Sequence, residues 1–187
     1  MSARDATKII RVPGRLAVAP TNLATAFPHG GTELGAVRAV ALRLRQRDFD
    51  VVAEEFDEVV ETVHGAMRVV GLACLLRQFD DTVIAKVFPS TSTGSSSGSK
   101  VIDIPGTARA GRLASATAVK YVFTPDNQTD HQAIILYKAD AALETDGAEI
   151  MCHMMQERVL PVVFKPIRDT SSPARVCKIG KLADLSL

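Results

Sequence analysis

Hydrophobic and polar positions alternate most regularly between Ala36 and Arg47. Val40, Leu42 and Leu44 fall on one side of an extended chain, and Ala41, Arg43, Arg45 and Arg47 on the other. This spacing predicts a strand with one dry face and one guanidinium-rich face. From Phe49 to Pro89 the pattern changes. Val59 to Val63 is β-branched and half polar, which suits a strand with a wet face. His64-Gly65-Ala66 reads as a hairpin reversal, because glycine accepts a positive φ. Met67 to Arg77 is almost wholly apolar and fits a strand buried on both faces. Val83, Ile84, Val87 and Phe88 then share one face of a short helix over Asp80 to Phe88. Asp80 or Asp81 would cap it and Pro89 would end it.

The flanking sequence is strand and turn. Met1 to Thr7 reads as a loose arm, and Ile9 to Ala19 is apolar but broken at Pro13-Gly14. Pro20 to Gly35 is rich in turn residues around a lone Phe27; it reads as a surface loop or a segment lying along a partner. Asp48 to Asp57 sets Phe49 and Phe56 among carboxylates with no clear period. It reads equally as an exposed loop that meets another chain and as an edge strand. Ser90 to Lys100 reads as a flexible loop. Val101 to Ile104, Leu113 to Phe123, Ala133 to Lys138, Val159 to Ile167 and Arg175 to Gly180 read as strands. The second and third of these form a hairpin about Pro125-Asp126-Asn127. Pro161 and Pro166 remove backbone donors, which predicts an edge strand or one beside a bulge. The apolar end Leu182 to Leu187 is expected to dock on something. The sum is about seven or eight strands and one helix: a mostly-β sandwich or partly closed barrel with one packed helix.

Composition narrows the function classes. The chain has 187 residues, 47% hydrophobic and 23% charged, which predicts one globular domain with an aliphatic core. A net charge of +1 offers no electrostatic footprint for tight nucleic-acid binding. No apolar run reaches the ~18 residues of a bilayer span. The start of the chain lacks the apolar core of a secretory signal, which predicts folding in a cytoplasm. Cys74, Cys152 and Cys177 show no metal or disulfide spacing and read as small buried hydrophobes. His29, His64, His131 and His153 are scattered, and neither Asp130-His131 nor Cys152-His153 can form a dyad on a straight strand. No nucleophile elbow, zinc-protease helix, P-loop or dinucleotide fingerprint occurs. Met151, Met154 and Met155 read as core or interface filling. No enzyme and no cofactor is predicted.

Several longer stretches follow one another in a telling order. PGRLAVAPTNL leads into FPHGGTELG and a strand. The unit EVVETVHGAMRVVGLACLLRQFDDTVIAKVFP follows, then a Ser/Gly-rich loop and PGTARAGRL. FTPD pairs with DHQAIILYKA, and VLPVVFKPIRD and KIGKLADLSL close the chain. In this order and spacing the chain resembles a bacteriophage tail tube protein over most of its length. The resemblance implies a β-sandwich or partly closed barrel protomer that forms stacked hexameric rings. Strands from each protomer would join into one inner barrel through which the genome passes. One domain over 1–187 would carry an N-terminal arm (about 1–35), a bridging loop (about 48–57) and a C-terminal tail (about 181–187). The helix Asp80 to Phe88 would lie on the outer wall.

Under this resemblance Phe49, Phe56, Arg43, Arg45, Arg47, Leu185 and Leu187 are candidates for contacts between subunits or rings. Glu54, Glu55, Asp57, Glu58 and Glu61 are candidates for an acidic lumen or a seam. The arginine face of Ala36 to Arg47 departs from the acidic lumen expected of such tubes. Either it pairs with those carboxylates across a seam, or it does not line the lumen; a solvated face is the plainer reading. The implied partners are further copies of the chain, the tape measure, tail terminator and baseplate or tip proteins, and DNA in passage without specific binding. No membrane is implied. The expected location is the virion tail, after synthesis in a host bacterial cytoplasm. Two other readings stay open: a tube subunit of a contractile injection machine, and a β-barrel module that binds a small ligand.

Overall fold

The apolar residues of six strands turn inward together, and the sheet they form closes on itself. A computed structural model describes residues 13–46, 48–53, 58–77, 81–87, 92–96, 99–103, 113–129, 131–142, 159–170 and 175–187. In chain order its elements are β1 (Gly14–Val18), β2 (Thr32–Arg45), β3 (Asp48–Ala53), β4 (Glu58–His64), β5 (Arg68–Leu76) and α1 (Asp81–Val87). Then come β6 (Ser92–Ser96), β7 (Ser99–Asp103), α2 (Ala114–Thr117), β8 (Val119–Pro125), β9 (Ala133–Ala142), β10 (Leu160–Pro166) and β11 (Cys177–Gly180). A 3-10 turn, Leu182–Asp184, precedes the last residues.

The main sheet runs β10-β5-β2-β1-β8-β9, and β9 pairs back to β10, so six antiparallel strands make a closed barrel. β9 makes closure possible because its two halves have different neighbours. One edge pairs with β8 from Ile134 to Ala139; the other takes β11 at Ala133 to Leu136 and β10 at Ala139 to Ala142. A barrel this small is filled by its own side chains. Leu16, Leu34, Leu72, Leu76, Phe123, Leu136 and Phe164 belong to one buried cluster. The rings of Tyr121 and Phe164 meet at 4.4 Å between centroids. On β9 the inward set is Ile134 and Leu136, then Ala139 and Ala141. The β8–β9 register jumps at that point, and an extra residue in one strand swaps which side chains face in. β1 lies so close to β8 that a Cβ on Gly14 would sit 2.5 Å from Phe123 Cε2.

Helix α1 forms where the i, i+1, i+4 apolar spacing lies. Val83, Ile84 and Val87 are buried, and Val83 and Val87 join the barrel cluster. Its neighbours are β2 and the β6–β7 hairpin. Phe88 lies outside the described residues.

Several sequence expectations need correction. The turn at His64-Gly65-Ala66 does not pair the strands on either side of it. β4 pairs with β3, while β5 enters the barrel between β2 and β10. Local apolar patterning marks strands but does not choose their partners. The stretch Asp48 to Asp57, read equally as an exposed loop and as an edge strand, begins with a strand, β3, and residues 54–57 lie outside the described set. The Ser/Gly tract supplies β6 and part of β7, paired with Thr93 opposite Ile102. The strand expected from Leu113 starts at Val119. Before it, Ala114 to Thr117 makes a helical turn closed by Thr117 Oγ1 donating to the Ala114 carbonyl at 3.3 Å. Alanine favours helix, and the β-branched and aromatic residues Val119, Tyr121, Val122, Phe123 and Thr124 come only later.

The proline-bearing strand β10 is not an edge either. It pairs with β5 from Leu160 to Phe164 and with β9 from Val163 to Pro166. Pro161 is tolerated because its β9-side edge is not yet paired at that point. Finally, the barrel closes within a single chain, so its core sheet needs no strand from a second copy.

Phe164 sits at the closing seam with 0% exposure. Phe164→Ala should destabilise the chain by about 3–5 kcal/mol, read as a lowered urea midpoint with an unchanged slope.

Candidate functional site

Four strands, β2-β3-β4-β5, make a hairpin within a hairpin. β2 and β5 pair in the barrel wall as far as Arg45 opposite Arg68. The chain then continues into a second ladder, Asp48 opposite His64 to Ala53 opposite Glu58. β3 and β4 pack chiefly on each other. They form a two-stranded ribbon, hereafter the arm, which offers both faces to solvent.

The register sorts the arm's two faces. Phe49 lies opposite Val63 and Val51 opposite Glu61, and residues directly opposite share a face. Phe49 is 62% exposed, Val51 50% and Val63 52%. Met67, at the arm's root, is also exposed. On the other face Asp48 Oδ1 meets His64 Nδ1 at 3.0 Å and accepts from Gln46 Nε2 at 3.0 Å. An apolar stripe on an exposed, charged ribbon is the feature that in soluble proteins marks a contact surface.

Of the residues singled out in the sequence, Phe49 lies on this stripe. Glu61 is exposed beside it, and Glu58 lies at the far end of β4. Arg43 and Arg45 are exposed where β2 leaves the barrel. Phe56, Arg47, Glu54, Glu55 and Asp57 lie outside the described residues. Val51, Val63 and Arg68 were missed by sequence reasoning. The alternation of Val51 with Phe49 was visible, but no local signal showed that Val63 would sit opposite Phe49.

Leu185 and Leu187 lie far from the arm in sequence and pack on the chain's own barrel. With Leu23 they cover Val122, Ile135 and Tyr137, the outward residues of β8 and β9. Tyr137 donates its hydroxyl to the Ser186 carbonyl at 3.0 Å, and Lys178 Nζ reaches Ser186 Oγ at 3.2 Å. Arg175 and Lys120 approach the Tyr137 ring at 5.4 and 5.9 Å from its centroid. An open groove of about 930 Å³ runs between this tail and residues Thr21 to Ala24.

The loop after β1 is held by His29, which is 2% exposed. Its Nδ1 lies 3.0 Å from the Thr25 carbonyl and its Nε2 3.1 Å from Thr124 Oγ1. A carbonyl only accepts, so in the neutral ring Nδ1 carries the proton and Nε2 accepts from the threonine. Phe27 is stacked beneath Arg15 at 4.4 Å and meets His29 edge-on. These contacts occupy His29 in holding a loop to the barrel.

Burial pushes the Cys74 thiol up to about 12 and the Cys177 thiol up to about 11. Neither is a thiolate at neutral pH, and thiolate is the reactive form. Cys152 lies outside the described residues. Among the described residues no group of three or more His, Cys, Asp or Glu could hold a metal ion. No helix among them is long and apolar enough to cross a membrane. No protein-family model matches the chain, and no curated protein matches it.

Two outcomes follow from this geometry. Leu185→Ser with Leu187→Ser uncovers the outer barrel face and should cost about 2 kcal/mol of stability by denaturant titration. In a Cys152→Ser, Cys177→Ser background, a thiol reagent at pH 8 should label Cys74 only as fast as the chain unfolds; rapid labelling of the native protein would contradict its burial.

Proposed function

We propose that this chain is a structural subunit of a phage tail tube, assembling into stacked hexameric rings that conduct the genome. The observation that carries the reading is the arm: a ribbon that stands off a closed barrel with Phe49, Val51 and Val63 exposed in a row. A chain with a complete core has no folding reason to keep that stripe in water. A neighbouring subunit is what the stripe is for. The order of sequence features resembling tail tube proteins supplies the kind of assembly. The arm begins where the bridging loop of that family is expected.

The closed barrel changes how such a ring would be built. Protomers need not lend strands to finish one another's core sheet. Joining would use what lies outside the barrel: the arm, the distal end of β2 and the outer edge of β11. Covered edges resist stray pairing with other chains, so ring closure serves solubility as well as shape. On this reading the protein works in the virion tail beside tape measure, terminator and baseplate or tip proteins, and DNA passes without specific binding. A tube subunit of a contractile injection machine would share this architecture.

The ligand-binding alternative loses its natural cavity, because the barrel interior is occupied by side chains such as Leu136 and Phe164. What is left to it are open surface grooves.

Negative-stain microscopy of the concentrated protein should show rings or tubes. Phe49→Ser with Val51→Ser should abolish them while the protomer keeps its far-ultraviolet spectrum and melting temperature. Loss of soluble protomer in that variant would place these residues in a folding role; a wild-type chain that stays monomeric at high concentration would count against the tube.

A further inference from the structure

Tyr137 gathers positive charge on the outer face of the barrel. The β9–β11 ladder sets Lys178 opposite Ile135, and the Tyr137 amide donates to the Val176 carbonyl at 3.2 Å one step further along. Ile135 and Tyr137 are outward residues of β9, so Lys178 emerges on the same face. Arg175 lies just beyond the ladder and sets its guanidinium 5.4 Å from the centre of the Tyr137 ring. Lys120 of β8 approaches the same ring at 5.9 Å. Arg175 and Lys120 are both half-buried.

Among the described residues none of these three cations forms an ion pair with a carboxylate. Asp169 donates its amide to the Arg175 carbonyl at 3.2 Å, and Asp140 on β9 accepts from Thr117 Oγ1 at 2.8 Å; neither carboxylate pairs with the cations. The Arg175 side chain meets the ring face and makes no hydrogen bond to a described residue. A ring face answers part of a cation's charge but leaves the in-plane N–H donors of a guanidinium unused. Lysine and arginine are seldom buried without a partner, and like charges drawn to one ring repel. Arg175 and Lys178 open onto a hollow of about 370 Å³ whose other walls are Tyr137, Val69, Val176 and Cys177. It sits where the β5–β10 ladder has ended, at Phe164 opposite Leu72, so that β5 and β11 flank it.

We propose that this hollow binds a small phosphate group, free or as a monoester, held by Arg175 and Lys178 beside Tyr137. The guanidinium fork matches two phosphate oxygens at once, and the ammonium adds a point charge that turns to meet a third. Lys120 does not line the hollow and acts through its field alone. Beyond the cations and the tyrosine the walls are Val69, Val176 and Cys177, which suits one compact anion and not a backbone of repeated phosphates.

The test is calorimetric melting of the full-length chain in sodium phosphate, in phenyl phosphate and in sodium chloride, at one ionic strength and pH. Phosphate should raise the melting temperature in a saturable way and chloride should not, because a ligand that binds only the folded chain stabilises it by mass action. A response to inorganic phosphate assigns the free ion; a response to phenyl phosphate alone assigns a monoester. R175Q with K178Q should weaken the apparent affinity about tenfold or more, as loss of charge-assisted hydrogen bonds does. K120Q should weaken it less. If R175Q with K178Q melts early without ligand, R175K with K178Q keeps a cation at the ring, loses the fork and should show the same weakening. Equal shifts in all three salts, or a folded double variant that responds as wild type does, overturn the proposal. So does a short single-stranded oligonucleotide that binds through Arg175 and Lys178 while both small phosphates fail, since the ligand is then a nucleic-acid backbone.

Discussion

The ladder between β9 and β10 is the interaction on which the rest of the structure depends. Without it the main sheet is an open ribbon with apolar residues of β5 and β10 along one margin. With it, six strands enclose Tyr121, Phe123, Leu136 and Phe164. The ladder is short, Val163 to Pro166 against Ala139 to Ala142. It is possible because β9 has a bulge near its middle and divides one edge between two partners. β11 takes the half of that edge which β10 leaves, and the C-terminal tail follows β11 back over the outer face. Closure and tail docking are thus two consequences of one strand's length.

Because the core is finished inside the chain, whatever is left unburied stands out. Among the described residues the arm adds no side chain to that core, yet it carries its own apolar stripe. Its cost in water is moderated by the carboxylates around it, since charged edges and faces keep two such ribbons from pairing flat on each other. A near-neutral chain, with a net charge of +1, therefore has a strongly uneven surface along one hairpin. Uneven charge on a neutral protein bears on association, not on fold.

The shared hairpin also explains why the strand reading went astray where it did. His64-Gly65-Ala66 has the chemistry of a reversal, and the chain does change partner there. β4 pairs with the strand before it, β3, rather than with the strand that follows the His64-Gly65-Ala66 turn. Pro161 and Pro166 argued for an edge strand or one beside a bulge, and the rule behind that inference is sound. It failed because β10 is paired on each side over different residues, which no pattern within the strand reveals.

Much was legible in the residues themselves. The β-branched and apolar runs located β2, β4, β5, β9, β10 and β11, because side-chain alternation and burial are local properties. The spacing of Val83, Ile84 and Val87 located α1, and Phe49 was marked by standing between carboxylates. Pairing, register and closure were not legible, because each depends on residues far apart in the chain meeting in space. Val63 opposite Phe49, Arg68 opposite Arg45 and Ala139 opposite both Val119 and Pro166 are decided only when the barrel forms. Sequence determined which segments are strands and which side chains want burial; the tertiary structure alone decided which of them were left in water, since exposure is a property of what the neighbours cover.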